Sequence, residues 1–179
     1  PCCAAAVTPN NSAIVNNRNN VPVVDIVKPN ASGLSHNKFT DFNVGKEGLV
    51  FNNVANGSYN SVLAGQIAAN NNLNGTPAKI ILNEVTGGNI SKLAGMMEIA
   101  GTKADLIIAN PNGIVGNGFG FINTNRVTLT TGTPIINNNT LTGFNVTGGT
   151  VEINGAGSSY PINEATGQYQ YQPVSKLDI

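Results

Sequence analysis

Short runs of β-branched and aliphatic residues, each cut off by a turn-forming dipeptide, recur along the whole chain and restrict it to an all-β architecture. The runs cover residues 21–27, 48–51, 79–85, 104–109, 120–122, 126–130 and 150–153, each close to strand length. Between them stand Asn56-Gly57, Asn74-Gly75, Gly87-Gly88, Asn112-Gly113, Asn117-Gly118, Gly148-Gly149 and Asn154-Gly155. Asn and Gly tolerate left-handed backbone, so these pairs mark tight turns. Residues 61–70 and 90–99 contain helix-tolerant side chains, but Gly65 and Gly95 interrupt them, and short turns at most are expected there.

A sandwich or barrel with one wet face should alternate apolar and polar residues strictly. Several runs instead carry consecutive apolar residues, as in Lys79-Ile80-Ile81-Leu82 and Leu106-Ile107-Ile108-Ala109. Such runs suit a solenoid, in which coils stack into parallel sheets and asparagines at the bends bond to their counterparts in the next coil. Roughly one residue in six is asparagine, while charged residues make up only 10 %, against the usual quarter. With coils of about 20 to 25 residues, the chain would supply about seven or eight.

Nine basic and nine acidic residues cancel. That leaves no electrostatic footprint for nucleic acid or anionic lipid, and neither is expected as a partner. No apolar stretch approaches the ~20 residues that span a bilayer, so membrane insertion of the domain is not expected. The two cysteines, Cys2 and Cys3, are neighbours in a small-residue stretch; they offer no disulfide framework and no metal site. Residues 1–19 read as a flexible tail and residues 20–179 as one domain. The chain stops at Lys176-Leu177-Asp178-Ile179, at what reads as the start of another strand, and is taken as a fragment of a longer protein. The Tyr- and Gln-rich residues 158–173 read as a loop or hairpin outside the coil.

Several blocks carry a resemblance. Val21-Pro22-Val23-Val24-Asp25-Ile26 is followed by Ala31-Ser32-Gly33-Leu34-Ser35-His36-Asn37, Phe42-Asn43-Val44 and Gly48-Leu49-Val50-Phe51-Asn52-Asn53. A second group comprises Leu82-Asn83-Glu84-Val85-Thr86, Glu98-Ile99-Ala100-Gly101 and Ala104-Asp105-Leu106-Ile107-Ile108-Ala109-Asn110-Pro111-Asn112-Gly113-Ile114. In order and spacing these resemble the two-partner secretion domains of filamentous haemagglutinins and contact-dependent growth-inhibition proteins, over residues 20–155. The resemblance implies a right-handed parallel β-helix with an N-terminal cap and extra-helical hairpins, with residues 21–43 as candidates for the cap. It implies export through the periplasm of a Gram-negative bacterium to the cell surface or medium. The partner implied is an outer-membrane TpsB-type barrel transporter bearing periplasmic POTRA modules, and a monomer is expected. Many relatives carry a C-x-x-C pair after the Asn-Pro-Asn-Gly block. Gly116 and Phe119 stand at the corresponding positions here, so a disulfide is lost and Phe119 instead buries apolar area.

Asn110, Pro111, Asn112 and Gly113 suit a rigid corner: Pro presets φ, Asn caps the turn and Gly admits positive φ. With Asn52, Asn53, Ser35, His36 and Asn37 they form the candidate motif for transporter recognition or folding. No catalytic residue, metal site or cofactor is expected. His36 beside Ser35 lacks the orienting acid of a triad. Asp25, Asp41, Glu84, Glu98 and Asp105 could serve a polysaccharide-cleaving β-helix only if they converged on one groove; each reads instead as a corner or cap hydrogen-bonder. A surface-adhesive module that binds glycans or proteins directly is the competing reading.

Overall fold

The computed structural model describes residues 6–155, 162–163, 165, 168–169 and 176–179. In chain order the strands are Val7–Pro9 (β1), Ile14–Arg18 (β2), Val21–Asp25 (β3), Leu34–Phe42 (β4), Leu49–Asn53 (β5), Ser58–Ser61 (β6) and Gly65–Ala68 (β7). After a 3-10 turn at Asn71–Leu73 come Ile80–Val85 (β8), Ser91–Leu93 (β9), Met96–Gly101 (β10), Ala104–Ala109 (β11), Ile114–Asn117 (β12), Gly120–Ile122 (β13) and Thr124–Thr130 (β14). Thr133–Asn137 (β15), Thr140–Asn145 (β16), Val151–Asn154 (β17), Ile162–Asn163 (β18), Gln168–Tyr169 (β19) and Lys176–Asp178 (β20) complete the set.

These strands wind into a right-handed parallel β-helix with three walls. One wall runs β4-β8-β11-β14-β20, a second β3-β5-β10-β13 and a third β9-β12-β17, all parallel. Register is regular: Ser35 sits beside Ile81, Ile81 beside Leu106 and Leu106 beside Val127. The steps from Ile81 to Leu106 and from Leu106 to Val127 are 25 and 21 residues, within the expected coil length.

Among the described residues fewer coils form than that length suggests: four are stacked, and β20 opens a further rung. The difference lies in antiparallel excursions, β6 with β7, β15 with β16 and β18 with β19, which leave the coil and return. The first lies between Ser35 and Ile81, and the other two lie between Val127 and Leu177. Most of residues 158–173 lies outside the described residues; within it, only the β18–β19 pairing is described.

The interior follows from side-chain alternation. Val24, Leu49, Phe51, Met97, Ile99 and Phe121 from one wall meet Phe39, Ile81, Leu106, Ile108, Val127 and Leu129 from another in one buried core. Phe42 joins Phe39 edge-on at 5.1 Å and lies parallel to Phe51 at 6.3 Å. The consecutive apolar residues arise because the outer faces are also covered. Hairpin β6–β7 lays Ala64 and Ile67 over Val21, Val23, Val50 and Ala100, and hairpin β15–β16 lays Ile136, Leu141 and Phe144 over Leu34, Leu82, Ile107 and Ala109. Strands buried on both faces have no polar side to show.

Three expectations need correction. Residues 7–18 are not a tail: β1 pairs antiparallel with β4, and β2 with β3. Those two strands close the end of the helix. The cap therefore precedes residues 21–43, whose own strands β3 and β4 already belong to the first coil. The helix-tolerant stretches form strands rather than turns: 61–70 supplies the end of β6 and all of β7, and 90–99 supplies β9 and most of β10. Cap pairing covers the edges of β3 and β4 and leaves β1 and β2 outermost in their sheets.

Candidate functional site

Ser35 and Asn37 project inward from β4 and close the corner that follows β3. Ser35 Oγ donates to the Val27 carbonyl at 2.7 Å, and Asn37 Oδ1 accepts from the Val27 N–H at 2.9 Å. Asn37 Nδ2 donates to Ser35 Oγ at 3.1 Å and reaches the Leu82 carbonyl of the next coil at 3.4 Å. Asn83, the register neighbour of Asn37, repeats the pattern toward the Ile107 carbonyl at 3.1 Å. Both amides are fully buried, and Asn83 Oδ1 meets no donor among the described residues.

His36 lies between Ser35 and Asn37 in the strand and so points to the opposite face. Its Nε2 stands 2.7 Å from Glu84 Oε1. The Ser35 hydroxyl is already engaged by Val27, and no serine–histidine contact forms.

Asn52 and Asn53 divide two tasks at one corner. Asn52 Nδ2 donates to Asp25 Oδ1 at 2.9 Å and to the Ala68 carbonyl at 3.1 Å, tying the first coil and hairpin β6–β7 to the second coil. Asn53 exchanges bonds with Ala78, accepting its N–H at 2.8 Å and donating to its carbonyl at 3.0 Å, and it donates to Thr102 O at 2.8 Å in the third coil.

Asn110, Pro111, Asn112 and Gly113 form the expected corner. Gly113 N–H donates to Asn110 O at 3.1 Å across the turn, and Asn112 N–H donates to Asn110 Oδ1 at 3.0 Å. Gly113 holds φ at +128°, and a Cβ there would come within 3.2 Å of Thr150 O. Asn110 Nδ2 grips the coil beneath, donating to Asn89 O at 3.0 Å and Ser91 Oγ at 2.9 Å; Asn112 Nδ2 donates to Gly87 O at 2.7 Å. The coil above bonds through Asn110 N–H to Thr130 O and Ile114 N–H to Thr150 O, each at 2.9 Å. Asn110 is fully buried, Asn112 half-buried, and Pro111 exposed. The structure thus brings the motif residues together along the helix as corner bonds between coils, not as one surface patch.

The acidic residues are dispersed on separate partners. Asp25 accepts from Asn16 and Asn52, Asp41 from Asn89, and Glu84 meets His36. Asp105 lies near Arg126, and burial raises its carboxyl above the ordinary value against that cation's pull. Among the described residues no three His, Cys, Asp or Glu side chains gather as metal ligands, and no helix is long and apolar enough to cross a membrane.

Burial raises the Asp25 carboxyl above its ordinary value of 3.8, with the Asn52 and Asn16 amides opposing. An acid with a raised folded-state pKa binds its proton more readily when folded, so its contribution to stability is present below 3.8 and lost as pH rises through the folded value. Relative to Asp25→Asn, the protein is therefore expected to gain stability as pH falls from 7 toward 4. Urea midpoints of the two proteins at matched pH measure this, and parallel profiles would refute it.

Glu98 is the polar residue whose weight the sequence conceals. Fully buried, it accepts from Ser61 Oγ at 2.5 Å, Val62 N–H at 3.0 Å, and Leu63 N–H and Tyr59 OH at 3.1 Å each. It therefore pins hairpin β6–β7 to the second wall. Burial first, and then the Glu98 carboxylate, push the Tyr59 phenol well above its ordinary value. Asn70 is a second such residue, donating to Ile26 O and Asn52 O at 3.0 Å each while capping the 3-10 turn. Its signal is the Asn-Asn-Asn run 70–72, which composition alone made unremarkable.

At the position of the absent cysteine pair, the Phe119 ring lies directly on the Gly116 backbone, in the space any Cβ at 116 would need. The ring also meets Phe121 edge-on at 5.8 Å and packs against the main core. The exchange is thus coupled: the bare glycine makes room for the ring.

The family profile of the TPS secretion domain matches residues 4–172. The chain is 51 % identical over 160 residues to a tRNA nuclease CdiA of Escherichia coli strain STEC_O31, covering 88 % of this chain and 5 % of that protein. It is 50 % identical over 135 residues to a hemolysin of Serratia marcescens, covering 74 % of this chain and 8 % of the relative. The chain thus spans less than a tenth of the length of these proteins. The crystal structure of a filamentous hemagglutinin secretion domain superimposes with a TM-score of 0.78 at 46 % identity, covering 83 % of this chain and 49 % of that one. On profile, sequence and fold together, the chain belongs to the TPS secretion domains, the two-partner secretion family of CdiA- and hemagglutinin-type exoproteins.

Proposed function

We propose that this domain directs export of a much larger exoprotein by engaging the periplasmic modules of a cognate outer-membrane TpsB-type transporter, and that it then nucleates β-helix folding outside. The observation that carries the folding half is the direction of the motif side chains. Asn37, Asn53 and Asn110 are buried and bonded between coils, and Ser35 is buried and closes the first-coil corner, where they order a nascent helix. In a solenoid each added coil buries its face on the previous one, so stacking favours outward progress without a nucleotide. Before folding, extended segments such as the nine residues of β4 can add to a sheet edge of the partner, with affinity from main-chain hydrogen bonds. Family membership and the large size of the relatives support the exported, transporter-dependent setting.

The test is secretion of the parent protein from cells carrying the transporter, with and without this domain. Loss of the exoprotein from the medium on deletion is expected, with periplasmic accumulation or degradation. Undiminished secretion would overturn the reading. Saturable binding of the purified domain to host or bacterial surfaces would favour the adhesive alternative.

A further inference from the structure

The hairpin β15–β16 leaves the fourth coil yet does not stay there. Its tip carries Asn138 and Asn139 with φ of +49° and +63°, a tight left-handed turn. Asn139 O accepts from Asn30 Nδ2 at 2.8 Å, and the Thr140 and Ser32 hydroxyls lie 3.3 Å apart. Asn30 and Ser32 belong to the first-coil corner, about 110 positions earlier in the chain. Along its length the hairpin rests on Leu34 of the first coil, Leu82 of the second, and Ile107 and Ala109 of the third. Its floor does not exist until three coils are stacked in register.

We propose that hairpin β15–β16 is a closing strap, which couples the fourth coil to the first and turns a stepwise stack into one cooperative unit. A plain solenoid contacts only nearest neighbours, and its end coils fray independently. The strap adds a contact across the whole stack. In a chain that emerges from its first residue onward, the apolar face of Leu34, Leu82 and Ile107 stays open until residues 133–145 arrive. Their arrival then closes the structure against unravelling from the first coil. This inference concerns the chain itself and does not depend on the transporter.

Native-state hydrogen exchange on the 179-residue protein tests it. With Phe144→Ser in the strap, the amides of β4 in the first coil are expected to exchange about tenfold faster, although Phe144 lies more than 100 residues away in sequence. A second protein, Ser32→Cys with Thr140→Cys in a Cys2→Ser, Cys3→Ser background, places two thiols where hydroxyls now meet. Oxidation is expected to slow exchange in both β4 and β14 about tenfold relative to the reduced form. If Phe144→Ser speeds only the hairpin's own amides, or oxidation protects only the hairpin, it is an appendage and the proposal falls.

Discussion

Replacing Glu98 with alanine is expected to destabilise the domain by about 4 kcal/mol. The change removes a fully buried carboxylate and strands Ser61 Oγ, Tyr59 OH and the Val62 and Leu63 N–H groups without their acceptor. Hairpin β6–β7 then loses its anchor, and the outer face of Val50 and Ala100 beneath it opens. Urea denaturation should show the fall in midpoint, with a lower slope if the hairpin is already detached in the folded state. Glu98→Gln keeps one acceptor oxygen and is expected to lose about 2 kcal/mol. A separate readout is Tyr59, one of four tyrosines. With the carboxylate gone, its titration should move down toward its ordinary range, because one of the causes holding it up is removed. A Glu98→Ala protein as stable as the parent, with Tyr59 unmoved, would contradict this account.

Asn110→Ala is expected to cost about 3 kcal/mol. The fully buried Asn110 side chain caps the turn through Asn112 N–H and bonds the coil beneath through Asn89 O and the buried Ser91 Oγ. Losing both roles combines the removal of a cap with the loss of a bond to the buried Ser91 hydroxyl. Asn112→Ala, at a half-buried position, is expected to lose about 1 to 2 kcal/mol. Circular dichroism during urea titration measures both. Paired with secretion, the same variants divide the two meanings of the motif. Export that fails in proportion to lost stability marks Asn110 as a folding corner, the outcome its burial favours. Export that fails at full stability would mark it as a contact for the transporter, and Pro111 and Asn112 are the parts of the corner within reach from outside.

Much of this fold was legible in the sequence because the solenoid repeats its physics locally. The runs 104–109 and 120–122 coincide with β11 and β13, and each Asn-Gly or Gly-Gly signal falls between strands or at a strand's end. Consecutive apolar residues pointed to strands covered on both faces, and the hairpins are what cover them. What stayed hidden was non-local. Residues 7–18 read as a tail because Asn10, Asn11, Asn16 and Asn17 give no apolar pattern; they become strands only because a sheet edge waits for them. β4 was missed for a similar reason. In Leu34–Phe42 the polar Ser35 and Asn37 face inward, so alternation fails to announce which side is core. Glu98 follows the same logic: its donors come from a hairpin about 35 residues earlier, which no local pattern records.

The buried amide rung of Asn37 and Asn83 sits between the first two coils, while the same position in the third and fourth is Ile108 and Leu129. Neither amide bonds the other: Asn37 accepts from the Val27 N–H of its own coil and donates to the Leu82 carbonyl, and Asn83 donates to the Ile107 carbonyl. Each grips main chain, which every coil presents alike. The pair therefore sets the pitch between successive turns and leaves the choice of which turn follows to the order in which the chain supplies them.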